Sequence, residues 1–528
     1  MPATPRGFRG IFRRDDEARA VYSESAGIQR IIPTAVAVPV DSDDLATLLE
    51  WARAEGAGLI PRGSGSSMAG AAVGSGVIVD LSRWKDIDSS RLDEQRVVVG
   101  SGAICGVLAA AVVGAKLRLP VSPSSAAFCT FGGMAATNAA GAHSLAFGAM
   151  RPWVTGIECM FADGTRAWIR RGEKQPALPG LDDPSRFSGL GEKNVCKDSS
   201  GYATAQFAKS GDLVDLLVGS EGTLALFTRV ETRLIGTPAA AASVMGVFPS
   251  LAAATQAAIL AREAGVVACE LLDKTFLDFV GTNTGKAFDA TTEAILLADV
   301  EGESVAAAAD GARTVSRAFA RSGASETRIA DDYDEREALW ALRHAASPML
   351  RHLSPNLKSM QFIEDGAVPP ERLGEYVAGV RAALDRQQVR GVIFGHAGDA
   401  HVHVNPLIDM TRPDWRQRFD ALFTEVTTLV ASLGGTLSGE HGDGRVRTAV
   451  LDRVWDATAL ASFAAVKRAF DPSNLLNPGV KVGGDASVGA IRYDPALPPL
   501  PDRAARALAD MERSKGYDRF RLELLDSK

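Results

Sequence analysis

Residues 129–148, CTFGGMAATNAAGAHSLAFG, hold four glycines and six alanines and no Asp, Glu, Lys or Arg. With side chains this small the backbone itself becomes the surface. The segment is therefore either a buried helix or loop that packs backbone against backbone, or a set of N–H groups lying against a planar or phosphorylated cofactor. Two more glycine-rich segments bear on that choice. Pro61–Ser67 (PRGSGSS) directly follows an apolar run at Gly58–Ile60, and its two glycines among hydroxyl residues let successive N–H groups point into one concavity that suits phosphate oxygens. It is neither a G-x-G-x-x-G opening a helix nor a P-loop. Gly219–Leu224 (GSEGTL) sets the carboxylate of Glu221 between two glycines. Each segment alone reads as an ordinary turn; three in one region favour a large phosphorylated cofactor.

That region is α+β. From about Pro33, short β-branched runs alternate with amphipathic stretches: AVAVPV (35–40) reads as a strand, and DSDDLATLLEWARAEGA as a helix with an Asp or Ser N-cap and Gly56 at its end. LIPRG, VIVDLS and RVVVGSG read as further strands. From about Pro238 the units lengthen, with strands at SVMGVF, VVACELL and AILLADVEG and helices from Leu251 to Ala264 and Ser304 to Ala320, which indicates a second α/β domain. A last helix, ALASFAAVKRAF, precedes DPSNLLNPG. These patterns divide the chain into a lead segment (1–32), a cofactor domain (33–237), a second domain (238–438), a C-terminal segment (439–482) and a tail (483–528), the tail read as a docking segment or partly disordered.

The 528 residues allow two to four domains. With 57 basic against 64 acidic residues and no basic stripe, nucleic acid is excluded as the main partner. Cys105, Cys129, Cys159, Cys196 and Cys269 are scattered, with no C-x-x-C, which fits a reducing compartment and offers no cysteine-rich metal cluster. No secretory signal pattern and no long apolar span stand out, so a cytoplasmic location is expected.

Histidine is scarce, seven in all, and four of the seven fall in two short segments. In HAGDAHVHVN (396–405), strand alternation would put His401, His403 and Asn405 on one face, and imidazoles so clustered suit a borderline divalent metal. In GEHGDG (439–444), Glu440 could complete a His/His/Glu site and His441 could serve as a general base. Ordinary hydrogen-bonded histidines and an ordinary loop are the alternatives.

Taken in order, PRGSGSSMAGA, VDLSRW, PSSAAFCTFGGMAATNAAG, GIECMFADG, KDSSGYA, VGSEGTLALFTRV, GHAGDAHVHVN, SGEHGDG and FDPSNLLNPG form a recognisable set. The chain resembles the FAD-linked oxidoreductases of the vanillyl-alcohol oxidase superfamily, in the branch of D-lactate dehydrogenase, the glycolate oxidase FAD subunit and D-2-hydroxyglutarate dehydrogenase. The resemblance implies an α+β fold: a PCMH-type FAD domain of two subdomains, an α+β cap over the flavin, and a C-terminal segment returning to it. It implies that Arg62, Gly63, Ser64, Gly65, Ser66 and Ser67 hold the pyrophosphate. Pro123, Ser124, Ser125, Gly132, Gly133, Ala136, Thr137, Asn138 and Gly141 would line the flavin, with Ile157 toward the adenine. Gly219, Glu221, Gly222 and Asn477 would close the site. Pro61–Gly70 has no histidine, so the FAD is expected to be noncovalent.

The same resemblance makes His396, His403 and Glu440 the ligands of a divalent metal, zinc by expectation, and His441 the catalytic base. Here it departs from strand alternation, which pairs His401 with His403. It also assigns Arg343, Lys358 and Asn405 to the substrate. The implied reaction takes a D-2-hydroxy acid to its 2-oxo acid, with hydride to flavin N5 and the hydroxyl polarised by the metal. An iron–sulfur subunit, an electron-transfer flavoprotein or quinone would take the electrons. Peripheral membrane association through that partner and a homo-oligomer are further expectations. The rivals are a transferase resembling alkyl-dihydroxyacetone-phosphate synthase and a non-catalytic flavoprotein subunit.

Overall fold

The computed structural model describes residues 4–284, 288–344, 356–485, 487–514 and 516–526. Its first subdomain is a four-stranded sheet in the order Ile11–Arg13, Ala35–Val38, Val77–Asp80, Leu59–Arg62. The last three strands run parallel and the first is antiparallel to its neighbour. The central strands, AVAV and VIVD, are continuous apolar runs apart from Asp80 because both faces are covered. The helix Ser42–Glu55 lies on one face: Asp41 caps it by accepting the Asp44 N–H (2.9 Å), Gly56 ends it at φ 64°, and Leu45, Leu48 and Leu49 go into the core. Each such leucine contributes roughly 1.5–3 kcal/mol.

The other face is covered by residues that the sequence reading sets apart. The helix Asp16–Val21 of the lead segment and the tail helix Asp502–Ser514 pack there, with Phe520, Leu522, Leu524 and Leu525. The tail is thus a folded wall of this subdomain rather than a partly disordered segment. Its helix repeats Ala504, Ala507, Leu508 and Met511 at helical spacing, a stripe masked by the Pro-rich stretch before it.

The second subdomain is an antiparallel sheet in the order Ile87–Asp88, Arg96–Gly100, Leu226–Arg233, Val154–Met160, Arg166–Arg170. The helix Ala457–Phe470 sends Phe463 and Phe470 into its core, so the chain returns here after the second domain. That domain is built on a seven-stranded antiparallel sheet: Glu326–Ala330, Ala240–Phe248, Ala294–Gly302, Ala268–Asp273, Arg390–Gly395, His403–Asp409, Leu357–Ser359. The helices Leu251–Glu263, Val305–Arg321, Leu373–Arg386 and Trp415–Ser432 complete its core.

Candidate active site

A cleft of about 1310 Å³ runs between the two subdomains and under the seven-stranded sheet. This exceeds the usual range for a small ligand and leaves room for a large cofactor together with a small substrate. Arg62–Ser67, Pro123–Ser125, Gly132, Gly133, Ala136, Thr137, Gly141, Glu221 and Gly222 line one part; Arg343, Lys358, His396, His403, Asn405, Glu440 and His441 line the other.

Whether FAD fits can be judged from groups left without partners. Ser67 and Ser101 are lining residues whose hydroxyls are buried and have no hydrogen-bond partner among the described residues. Buried polar atoms of this kind are costly unless a ligand satisfies them. Gly65 sits at φ 76°, where any Cβ would also overlap the Arg62 guanidinium, and a Cβ on Gly141 would overlap the Ser122 carbonyl. Packing inside the protein thus accounts for these two glycines, and the fit to FAD rests on the size of the cleft and its glycine- and serine-rich lining.

At the far end the strand Arg390–Gly395 delivers His396, and a short turn (397–399) leads into His403–Asp409. The Nε2 of His396 and that of His403 stand 3.3 and 3.4 Å from Oε1 of Glu440. Two ligands of one tetrahedral zinc lie about 3.3–3.5 Å apart, and each of the two histidines stands at that spacing from Glu440. The other ring nitrogens are held as metal-binding histidines require: His396 Nδ1 is 2.5 Å from Glu270, and His403 Nδ1 is 3.0 Å from the Glu364 carbonyl. Burial keeps the pKa of His403 low. Burial opposes charge on Glu440 too, but Lys197 at 3.1 Å and His396 hold its pKa well below the carboxylate range.

Asp365, His401, His403 and Glu440 also offer atoms within 4.8 Å of one another. Asp365, however, already accepts from His401 Nε2 (2.9 Å), the His441 N–H (2.9 Å) and the Ser438 hydroxyl (3.0 Å). That carboxylate builds the turn at Gly439–Gly444, which leaves His396, His403 and Glu440 as the better ligand set. His441 points Nδ1 at Glu364 (3.3 Å) and Asp365 (3.5 Å), and Nε2 at Glu440 (3.8 Å). Burial disfavours its charge, yet Asp365, Glu364 and Glu440 together raise its pKa to about 9.

The FAD binding domain family matches residues 33–170, and the family of FAD linked oxidases, C-terminal domain, matches residues 237–480. The chain belongs to the FAD-linked oxidoreductases. This oxidoreductase is 28% identical over 483 residues to the glycolate oxidase subunit GlcD of Bacillus subtilis, covering 90% of this chain and 94% of that one. It is 28% identical over 448 residues to a D-lactate dehydrogenase of Archaeoglobus fulgidus, covering 84% and 90%. Against the D-2-hydroxyglutarate dehydrogenase of Pseudomonas putida it is 27% identical over 515 residues, covering 90% of this chain and 50% of that longer one. Among solved structures, 4-ethylphenol oxidase from Gulosibacter chungangensis superposes with a TM-score of 0.67 at 16% identity over 89% of this chain and 94% of that one. An alkyldihydroxyacetonephosphate synthase does so at 0.63 and 15%, over 88% and 82%. At such identities these two show the fold.

Not every expected residue of the oxidoreductase touches the cleft. Ile157 is fully buried in the strand Val154–Met160 and packs in the core of the second subdomain, because both faces of that strand are covered. Asn138, Gly219 and Asn477 lie behind the lining. Asn138 accepts from the Arg151 N–H at 2.9 Å, and Asn477 donates to the carbonyls of Ala71 (3.0 Å) and Glu221 (2.8 Å). The Glu221 carboxylate accepts the N–H groups of Asp443 (2.7 Å) and Gly444 (2.9 Å) and pairs with Lys481 at 3.1 Å, so it ties the cofactor domain to the turn that carries Glu440 and His441.

Strand alternation from His401 does not hold either: the strand starts at His403, and only His403 and Asn405 of the three line the cleft. His401 is fully buried, and burial lowers its pKa to about 4. The sequence reading missed Glu270, Glu364, Asp365 and Lys197. One signal was there for two of them: Glu364–Asp365 interrupts an otherwise apolar run, and charge inside such a run is retained when it is paired. Here Glu364 pairs with the buried Arg447.

Proposed function

We propose that this FAD-linked oxidoreductase converts a D-2-hydroxy acid to the 2-oxo acid, with FAD bound noncovalently and a divalent metal, zinc by its ligand set, on His396, His403 and Glu440. The observation that carries the reading is the convergence of those three ligand atoms beside His441 at the end of an FAD-sized cleft. Bound FAD supplies a two-electron acceptor for the Cα hydrogen, and a bound metal supplies a Lewis acid for the hydroxyl.

The chain's own residues do the rest. Arg343 donates through Nε to Glu270 (2.6 Å), which fixes its guanidinium over Phe394 at the cleft wall and leaves the outer nitrogens for a substrate carboxylate. Asn405 shares a strand face with His403, and Lys358 stands on the neighbouring strand with its ammonium 5.5 Å from the Tyr493 ring. Glu364 and Asp365 hold the His441 ring by Nδ1, so Nε2 is the atom that takes the hydroxyl proton once the ring is neutral. Because its pKa is raised to about 9, flavin reduction is expected to speed up as pH rises toward 9, which a pH series of single-turnover rates checks. Electrons then pass to an external acceptor, an iron–sulfur subunit, an electron-transfer flavoprotein or quinone. The relatives named as glycolate oxidase subunits support an acceptor on another chain.

Anaerobic mixing with D-lactate, glycolate, D-2-hydroxyglutarate and D-malate is expected to bleach the flavin absorbance with at least one of them. Absence of bleaching by every 2-hydroxy acid tried rejects the substrate class. Arg343→Lys is expected to raise KM roughly ten- to a hundredfold with FAD content unchanged, since lysine keeps the charge but loses the planar fork. An unchanged KM would free Arg343 from that role.

A further inference from the structure

The tail lies beyond the last residue matched by either family, Val480, yet it reaches the loop that holds the cofactor's phosphates. Arg521 is 2% exposed; its Nη2 donates to the Ser64 carbonyl at 3.5 Å, and its Nε and Nη1 have no hydrogen-bond partner among the described residues. Arg62, equally buried, stands close enough for the two cations to disfavour each other's charge. It donates to the carbonyls of Tyr22 (3.2 Å), Ala72 (3.1 Å) and Glu24 (2.8 Å), and its Nε is likewise unpartnered.

Neither guanidinium has a carboxylate salt bridge among the described residues. The nearby acids are engaged elsewhere: Asp80 accepts from the Tyr22 hydroxyl, and Glu24 pairs with Arg30 at 2.7 Å and with Arg492 at 3.6 Å. Arg62 lies 5.3 Å from the Tyr22 ring and Arg521 5.7 Å from the Tyr517 ring, but two buried cations side by side without a salt bridge are costly, and buried charge is normally retained where an opposite charge meets it. The Ser67 hydroxyl in the same loop is also without a partner. Two aromatic residues fix the tail beside the cleft. Tyr517 lines it and packs its ring 5.4 Å from Phe128, and the Arg83 guanidinium lies 5.3 Å from the Phe520 ring.

We propose that the tail is a third wall of the cofactor site, and that Arg521 is a positioning residue that holds the Ser64 peptide and, with Arg62, balances the charge of the FAD diphosphate. The inference rests on FAD binding, which the flavin content of the wild-type protein checks separately. The anion it answers to is a dinucleotide diphosphate, so a flavin without phosphate gains nothing from Arg521.

The test uses the full chain with Arg521→Met and Arg521→Gln, stripped of flavin and titrated with FAD and with riboflavin by fluorescence quenching. FAD is expected to bind roughly ten- to a hundredfold more weakly, the loss typical of one charge-assisted contact, with riboflavin affinity unchanged. The apoprotein's Tm is expected to hold or rise, because a buried cation without a salt bridge is gone, while the holoprotein's Tm falls. Equal loss of FAD and riboflavin affinity, equal fall of both Tm values, or unchanged FAD affinity overturns the proposal. So does failure of both apoproteins to fold, since that would make Arg521 a structural residue.

Discussion

His441→Ala is expected to slow substrate-dependent flavin reduction by about 10²–10⁴-fold while the protein keeps its FAD, because a positioned general base contributes on that order. The argument is geometric. Nδ1 of His441 is occupied by Glu364 at 3.3 Å and Asp365 at 3.5 Å, so only Nε2 is left to meet a substrate proton, and the side chain is a quarter exposed toward the cleft. The adjacent acids sit on Phe362–Gly366, the turn opposite, and Asp365 also accepts the backbone N–H of His441, so alanine leaves the turn itself in place. Single-turnover stopped-flow absorbance measures the rate and the flavin spectrum reports retention. Fast reduction in the variant would take the base role away from His441.

Glu440→Gln is expected to lose most of the bound metal and about three orders of magnitude in flavin reduction, the loss of a Lewis acid worth several kcal/mol. Glu440 is the shared member of the cluster, within 3.4 Å of Nε2 on both His396 and His403, and its other oxygen pairs with Lys197, a fully buried cation. Glutamine keeps the volume and part of the hydrogen bonding to Lys197, and Asp399 at 3.5 Å remains as its counter-charge, so the fold is expected to survive. Elemental analysis of the purified variant, with activity before and after chelation of the wild type, decides the matter. Wild-type protein that turns over at full rate without metal would remove the metal from the mechanism.

Both variants act on residues that are legible in the sequence because their types are scarce and crowded. Seven histidines in 528 residues, four of them in two short segments, mark the centre by their placement along the chain. The loop Arg62–Ser67 stands out for a different reason: alone it reads as a turn, but it is one of three glycine-rich segments in one region, and all three contribute to the cleft lining. Glu270 is not legible, since a single acid in the apolar strand ACELLD has no local pattern to distinguish it, and it acquires its role only when His396 and Arg343 arrive from distant segments. Lys197 is similar, 243 residues away from the carboxylate it pairs with. The order of the tail is not legible because Pro-rich composition speaks to the segment before the helix and says nothing of the stripe Ala504, Ala507, Leu508 and Met511, whose partner is a sheet face made by the first eighty residues. His401 was misplaced by assuming that the strand began two residues early.

The sharing of one small core by Ala18, Val21 and Tyr22 with Leu508, Leu522 and Leu525 has a consequence for biosynthesis. On the ribosome, the sheet of Ile11–Asp80 must wait with one apolar face bare until roughly four hundred further residues have been made. Loop closure over such a separation is slow, and an uncovered sheet face invites association with other chains. The loop Arg62–Ser67 at the edge of that sheet therefore gains its contact with Arg521 only after the tail has emerged.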